Sequence, residues 1–172
     1  ERGLDYVLPH QFITEARCSN VRAWLLQAVD GDAATVELLR AWLAALIRGI
    51  PLQKFLALVG RGGSGKSTFV RLAVALVGES NCAISTLRDL EESRFEAVKL
   101  LGKRLCQINE AGKHGGALNV LKSITGHDSL PIERKHVQAV GSFVFTGLVV
   151  MASNEDLQSS DTTSGLERRR LV

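Results

Sequence analysis

Apolar residues recur at the spacing of a helix in two segments near the beginning of the chain. The first segment follows the candidate caps Ser19-Asn20 and ends at Asp30-Gly31. The second follows Asp32, also a candidate cap, and ends at Gly49 and Pro51. The recurring positions are Val21, Trp24, Leu25 and Ala28 in the first segment and Val36, Leu39, Trp42, Leu43, Leu46 and Ile47 in the second. The pattern therefore predicts two amphipathic helices.

After Pro51 the pattern changes to short continuous apolar runs, which are typical of strands covered on both faces of a parallel sheet. The runs alternate with helical patterns. The predicted strands are residues 55–59, 105–108 and 148–152, and the predicted helices lie around residues 69–76, 90–101 and 117–124. We therefore predict an α/β protein with a largely parallel sheet flanked by helices, preceded by a small helical segment.

The composition is that of one ordinary globular domain. Of 172 residues, 45% are hydrophobic, 23% charged and 5% aromatic, which excludes disordered, collagen-like and disulfide-rich classes. No apolar run approaches the roughly 18 residues of a membrane span, and the first residues lack the apolar centre of a signal peptide. We therefore expect a cytoplasmic protein with no membrane partner.

Charge and cysteines change this picture little. The net charge of +3 permits contact with nucleic acid but does not require it. Cys18, Cys82 and Cys106 lie far apart, without the spacing of a metal site, so we interpret them as reduced packing residues. The chain begins at Glu1 rather than at a methionine, and we expect an excised piece of a longer protein. It would comprise an N-terminal arm and helical segment over residues 1–50 and a core over residues 51–172 that is truncated at its C-terminal end.

The glycine-rich turn after the first predicted strand fits the pattern G-x-x-x-x-G-K-[ST]. It reads Gly60-Arg61-Gly62-Gly63-Ser64-Gly65-Lys66-Ser67 and is followed by Thr68. The backbone N–H groups of such a loop, at the beginning of a helix, surround phosphate oxygens. Lys66 would neutralise the β- and γ-phosphates, the Ser67 hydroxyl would bind Mg²⁺, and Thr68 would add a backbone contact. The turn predicts a P-loop that binds ATP and Mg²⁺, and an incidental glycine-rich turn is the alternative.

Polar residues follow two of the other predicted strands at their carboxyl ends, where open parallel sheets bind ligands. Glu110, after strand 105–108, is the candidate catalytic carboxylate, which would bind Mg²⁺ or activate water. Asn154, after strand 148–152, is the candidate sensor of the γ-phosphate. The alternatives are a solvated loop glutamate and an asparagine that caps a turn.

Three consecutive arginines, Arg168, Arg169 and Arg170, follow a polar loop near the end of the sequence. A run of surface charge is the ordinary explanation. The more specific interpretation is an arginine finger, because a guanidinium group at the γ-phosphate bound by a neighbouring subunit stabilises the charge of the transition state.

The order of these motifs resembles that of the superfamily 3 helicases, and in particular the D5-like primase–helicases of phages, plasmids and poxviruses. The resemblance covers about residues 30–172. The sequence departs from the family's pattern at Ser64, where many relatives have asparagine, and at Asn109, where motif B of the family often has an acidic residue. The stretches that carry it are Gln53-Lys54-Phe55, the glycine-rich turn, Gly102-Lys103-Arg104-Leu105, residues 121–128, Glu133-Arg134-Lys135-His136, Ala152-Ser153-Asn154 and Gly165-Leu166-Glu167-Arg168-Arg169.

The resemblance implies a P-loop NTPase with an AAA+-like sheet. It places Lys66 and Ser67 in motif A, Glu110 in motif B, which with Ser67 would bind the metal, and Asn154 in motif C. Aligning on Gly165 favours Arg168 or Arg169 as the finger. We choose Arg169, with Arg170 as a further possibility.

The resemblance also implies the partners. Lys135 and His136 would lie at the tip of a β-hairpin and follow the backbone of single-stranded DNA, whereas an exposed polar turn is the alternative. A homo-oligomeric ring, usually a hexamer, would bring the finger of one subunit to the ATP of the next. The helices within residues 1–50 could form its oligomerisation collar, and the parent chain could carry a primase domain upstream.

We therefore expect an ATP-dependent DNA helicase that moves 3′ to 5′ on single-stranded or forked DNA, in the replication of a phage, plasmid or other mobile element in a bacterial or phage-infected cell. A P-loop kinase for a small metabolite is one alternative, and it would consume ATP only with its acceptor. A nucleotide-binding fragment without turnover is the other. DNA-stimulated hydrolysis separates the helicase from the kinase, and the mass in solution separates a ring from an inert monomer.

Overall fold

The computed structural model describes residues 7–11, 13–93, 95–109, 116, 118–132, 141–157 and 164–172. Its helices are α1 (Ser19–Ala28), α2 (Ala33–Arg48), α3 (Lys66–Val77), α4 (Leu87–Glu92), α5 (Asn119–Gly126) and α6 (Ser164–Glu167), with 3-10 turns at Glu79–Asn81 and Ala97–Leu100. Its strands are β1 (Phe55–Val59), β2 (Cys82–Thr86), β3 (Leu105–Asn109), β4 (Ser129–Pro131), β5 (Ser142–Val144), β6 (Leu148–Ser153) and β7 (Arg170–Leu171).

Five of the described strands form one parallel sheet in the order β2-β3-β6-β1-β7. β4 and β5 form a separate antiparallel hairpin. Because the sheet is parallel, β1, β3 and β6 all end at the same edge. The predicted fold class, an α/β protein with a largely parallel sheet flanked by helices and preceded by a helical segment, is confirmed.

Helices cover both faces of the sheet, which is why its strands read as continuous apolar runs. Successive strand residues point to opposite faces, so Phe55 and Leu56 belong to different clusters. On one face, residues such as Phe55, Cys106 and Val149 pack with α4, α5 and the hairpin. On the other face, residues such as Leu56, Leu105 and Val150 pack with α1, α2 and α3.

The ends of the two N-terminal helices follow the sequence signals in part. The Asp32 carboxylate accepts hydrogen bonds from the N–H groups of Ala34 and Thr35, and Gly49 ends α2 in the left-handed conformation. The predicted caps of α1 are wrong, because Ser19 is already helical and Cys18 precedes it without a side-chain cap. Cys18 is exposed, so it is not the packing residue that the sequence suggested, whereas Cys106 is fully buried.

The helix predicted around residues 90–101 is two shorter pieces. α4 begins earlier, after Thr86, whose hydroxyl accepts a hydrogen bond from the N–H of Asp89, and it ends at the extended residue Ser93. The chain then turns and forms the 3-10 turn Ala97–Leu100. Leu90 and Leu100 enter the same hydrophobic cluster, so the apolar pattern continues although the helix does not.

The N-terminal helices share their hydrophobic cluster with the sheet. Trp42 of α2 is fully buried and its ring lies 6.0 Å from that of Phe69 in α3, centroid to centroid. The preceding segment has no helix or strand over residues 7–11 and 13–18, and His10 Nε2 lies 2.6 Å from the carbonyl oxygen of Ala75. The division of the chain at residue 50 and the collar role of its first part stay predictions. In the part of the chain described, no helix is long and apolar enough to cross a membrane.

Candidate functional site

The glycine-rich turn joins the end of β1 to the beginning of α3. Gly63 and Gly65 have φ angles of 80° and 90°, a conformation that glycine adopts without the steric strain of a side chain. The N–H of Gly60 donates to the carbonyl of Ser153 at 3.3 Å, which ties the turn to the end of β6. The turn is therefore held in a curved shape at the carboxyl edge of the sheet, with the N-terminus of α3 behind it.

The Lys66 side chain curls back over this turn. Its Nζ donates to the carbonyl oxygens of Gly60 at 2.6 Å and Arg61 at 2.8 Å, and to the Ser64 Oγ at 3.2 Å. These bonds place an ammonium group at the mouth of the loop, where the backbone N–H groups and the α3 dipole also favour an anion.

A cavity of about 280 Å³ opens between the turn and the end of β6. The described residues that line it are Gly62, Gly63, Ser64, Gly65, Lys66, Ser67, Thr68, Arg71 and Asn154. The structure thus brings the predicted sensor Asn154 to the same cavity as Lys66 and Ser67, although it lies far from them in the sequence. The parallel pairing of β1 with β6 accounts for this, because Val59 and Ser153 are register partners.

Arg71 is a cavity residue that the sequence analysis missed. It lies one helical turn after Ser67 in α3, and its Nη2 donates to the Thr68 hydroxyl at 3.2 Å. The sequence could have indicated Arg71 by its position four residues after Ser67, because residues three and four apart share one side of a helix. With Lys66 it gives the described lining two cationic side chains and no carboxylate, which suits a polyanionic ligand.

Of the two predicted Mg²⁺ ligands, Ser67 and Glu110, the structure describes Ser67. Its hydroxyl is an oxygen ligand of the kind that Mg²⁺ prefers. The described residues contain no group of three or more histidine, cysteine, aspartate or glutamate side chains that could hold a metal ion. The predicted carboxylate Glu110 follows the end of β3 directly and lies outside the described residues. Its neighbour Asn109 accepts a hydrogen bond from the Gln107 Nε2 at 2.5 Å.

The three arginines occupy different surroundings. The Arg168 carbonyl accepts a hydrogen bond from the Lys54 Nζ. Arg169 turns its guanidinium towards its own chain, where Nη1 donates to the Gly165 carbonyl at 3.3 Å. Arg170 pairs with Asp156, and this hydrogen bond is the main reason that the pKa of the Asp156 carboxyl is lowered. Arg169, the predicted finger, is half-buried, and the described lining of the cavity includes none of the three.

The predicted DNA-binding residues Lys135 and His136 lie between β4 and β5, in a segment outside the described residues. The hairpin on either side of them is formed, and the N–H of Ile132 donates to the Gly141 carbonyl at 2.8 Å. Leu130 of β4 is buried in the same cluster as α5, so the base of the hairpin is anchored to the sheet.

Comparison with known proteins gives the chain a family. Residues 58–170, about two thirds of the chain, match a family described as a family of unknown function, DUF5906. The chain belongs to the DUF5906 family. The DUF5906 match begins within β1 and ends within β7, so it includes the glycine-rich turn, Asn154 and the three arginines, whereas α1 and α2 precede it.

Solved structures resemble this DUF5906 protein over most of its length. Two structures of the NrS-1 C-terminal region, both in apo form, superpose with TM-scores of 0.69 and 0.66 at 25% identity and cover 87% of this chain. This chain spans only 36% and 35% of theirs. A curated relative, the uncharacterized mitochondrial protein ymf20 of Marchantia polymorpha, is 29% identical over 68 residues, which are 40% of this chain and 41% of that protein.

Proposed function

We propose that this DUF5906 chain is the ATPase core of a DNA helicase of the superfamily 3 type, acting in the replication of a phage, plasmid or other mobile element. The observation that carries the proposal is the convergence of Lys66, Ser67 and Asn154 on one cavity at the carboxyl edge of a parallel sheet. A cation, a hydroxyl and an amide at that edge are the groups that ATP hydrolysis uses in P-loop proteins.

Each group has a separate task in this proposal. The loop N–H groups, Lys66 and Arg71 bind the phosphates, and the Asn154 amide contacts the γ-phosphate or the attacking water. Ser67 and Glu110 would hold Mg²⁺, which when bound would neutralise charge on the phosphate oxygens. Glu110 orients the water.

The proposed partners follow from the rest of the chain. Arg169, with Arg168 and Arg170 as alternatives, completes the ATP site of the neighbouring subunit in a ring. The dependence of ATP hydrolysis on protein concentration tests whether such a ring forms. Lys135 and His136 contact the backbone of single-stranded DNA. The solved relatives are a C-terminal region, in one case residues 305–718 of a longer protein, which supports a parent chain with a further domain upstream, such as a primase.

The test is steady-state ATP hydrolysis with and without single-stranded DNA, over a range of protein concentrations. Lys66→Ala should lower turnover on the order of a hundredfold, because it removes the charge that faces the phosphates. Lys103→Ala is the matched control, since the only hydrogen bond described for the Lys103 side chain is to the Ser80 carbonyl, and this variant should hydrolyse ATP at the original rate.

The outcomes separate the alternatives. Turnover that rises cooperatively with concentration, is stimulated by DNA and is lost in Lys66→Ala and Arg169→Ala supports a ring-shaped DNA motor. Hydrolysis that needs a small-molecule acceptor instead identifies a kinase, and ATP binding without turnover identifies a binding fragment. An unchanged rate in Lys66→Ala would contradict any role for the P-loop.

A further inference from the structure

We call the cavity lined by Lys66, Ser67 and Asn154 the phosphate cavity. A second groove adjoins it on the side of α1. Its volume is about 390 Å³, and the described residues that line it are Trp24, Gln27, Ala28, Asp30, Gly63, Ser64 and Gly65. The last three also line the phosphate cavity, so the two spaces adjoin along one stretch of the loop. A molecule bound at the phosphate cavity can therefore extend into the groove without leaving the loop.

Trp24 forms the wall of the groove and contacts the loop directly. A Cβ atom added at Gly65 would lie 3.4 Å from the Trp24 Cζ2 and 3.6 Å from its Nε1. The indole is half-buried and packs against the hydrophobic cluster beneath the sheet, so its position is fixed. A fixed aromatic ring beside a phosphate site offers a flat apolar surface for a heteroaromatic base.

The charges of the two spaces differ in sign. The described lining of the phosphate cavity carries Lys66 and Arg71, whereas that of the groove carries the Asp30 carboxylate, the Gln27 amide and no basic side chain. A carboxylate repels phosphate but accepts a hydrogen bond from the amino N–H group of adenine. The groove is therefore suited to the uncharged end of a nucleotide.

We propose that this groove binds the purine base of the nucleoside triphosphate, with Trp24 stacked on the base and Asp30 and Gln27 contacting its polar edge. The proposal rests on the proposed function, because it requires the phosphates to bind at the P-loop. It gives α1 a task in nucleotide binding, in a segment that precedes the part of the chain matching the family.

Calorimetric titration with ADP and, separately, with inorganic tripolyphosphate tests the proposal. Trp24→Ala should weaken ADP binding roughly tenfold, because stacking on the indole is lost, and leave tripolyphosphate binding unchanged. Trp24→Phe, which keeps an aromatic ring, should retain most of the affinity for ADP. Lys66→Ala should weaken the binding of both ligands.

The same titrations distinguish the failure of this inference from that of the proposed function. If Trp24→Ala and Trp24→Phe bind ADP as the wild type does, or if Trp24→Ala weakens ADP and tripolyphosphate equally, the indole has no contact with the base and the inference is overturned. If the wild type binds neither ligand, the proposed function fails and the inference with it. Circular dichroism of each variant shows that the fold is retained.

Discussion

Gly147 lies where two segments of backbone meet at the beginning of β6. A Cβ atom there would stand 2.5 Å from the Arg104 carbonyl oxygen and 2.5 Å from the Phe145 ring. That carbonyl accepts the hydrogen bond of the Leu148 N–H at 2.8 Å, so it cannot move away without a loss. We predict that Gly147→Ala lowers the free energy of unfolding by about 2–3 kcal/mol in urea titrations.

Gly62→Ala is the control for this substitution. No atom lies within 4 Å of a Cβ at Gly62, and the residue is exposed. The free energy of unfolding should fall by no more than about 0.5 kcal/mol. Equal effects of the two substitutions would contradict the close approach at Gly147.

Cys106 makes stability depend on pH. Complete burial raises the pKa of its thiol from 9.0 to about 12, so in alkali the unfolded chain loses this proton before the folded one does. The contribution of the protonated Cys106 thiol to the free energy of unfolding is therefore fully present below pH 9 and is lost as the pH rises from 9 towards 12. Between pH 8 and pH 10 the free energy of unfolding should fall by about 1 kcal/mol more in the wild type than in Cys106→Ala.

Urea titrations of both proteins at the two pH values give this difference. Burial also raises the pKa of Cys82, but Cys82 is present in both proteins and its effect cancels. The same fall in the two proteins would show that Cys106 does not carry the effect.

At the scale of elements, α4 holds the beginning of α5. The Glu91 carboxylate accepts hydrogen bonds from the N–H groups of Val120 at 3.0 Å and Leu121 at 2.9 Å. Leu118, at the cap position of α5, supplies no side-chain bond. We predict that Glu91→Ala lowers the free energy of unfolding by about 1–2 kcal/mol, because two helix N–H groups lose their acceptor.

Glu92→Ala provides the comparison in urea titrations. Glu92 is the next residue of α4, and its only described ion pair is with Arg88 on the surface. Surface pairs of this kind contribute little, so the change should stay within about 0.5 kcal/mol. A Glu91→Ala protein as stable as Glu92→Ala would contradict the capping role.

The elements that the sequence predicted best are those with the simplest physical cause. β1 and β6 are continuous apolar runs because both of their faces are covered, and their prediction is confirmed to within a residue or two. β2 was missed because it is a sheet edge, where the exposed Ile84 and the buried Ser85 reverse the expected pattern. β7 has only two residues, too few for any period.

For the whole molecule, the packing of α1 and α2 makes a prediction about cooperativity. The chain has two tryptophans, Trp24 and Trp42, and both lie in these helices. Tryptophan emission therefore reports the N-terminal segment, whereas far-ultraviolet circular dichroism reports all helices and strands. Because one hydrophobic cluster joins the segment to the sheet, we predict that both signals change at the same urea concentration.

An emission transition at lower urea than the dichroism transition would contradict this prediction. It would show that residues 1–50 form a separate unit, as the sequence pattern suggested. Arg88→Ala, a surface substitution outside the segment, should leave the two transitions coincident.

The candidate site was predictable where sheet geometry alone determines it. Parallel strands end at one edge, so the order of strands and loops along the chain was enough to predict that Lys66 and Asn154 meet. The contact between Trp24 and Gly65 could not be expected, because it depends on how α1 lies against the loop. The helical period identified Trp24 only as one of several apolar positions on that face.

The strand order also fixes when this chain can become stable. β1, which leads into the glycine-rich turn, is paired on one side with β6 and on the other with β7, residues 148–153 and 170–171. During synthesis, the backbone N–H and C=O groups of β1 therefore lack both strand partners until almost the whole of this sequence has been made. Such distant pairing slows folding and leaves both edges of β1 accessible to chaperones in the meantime.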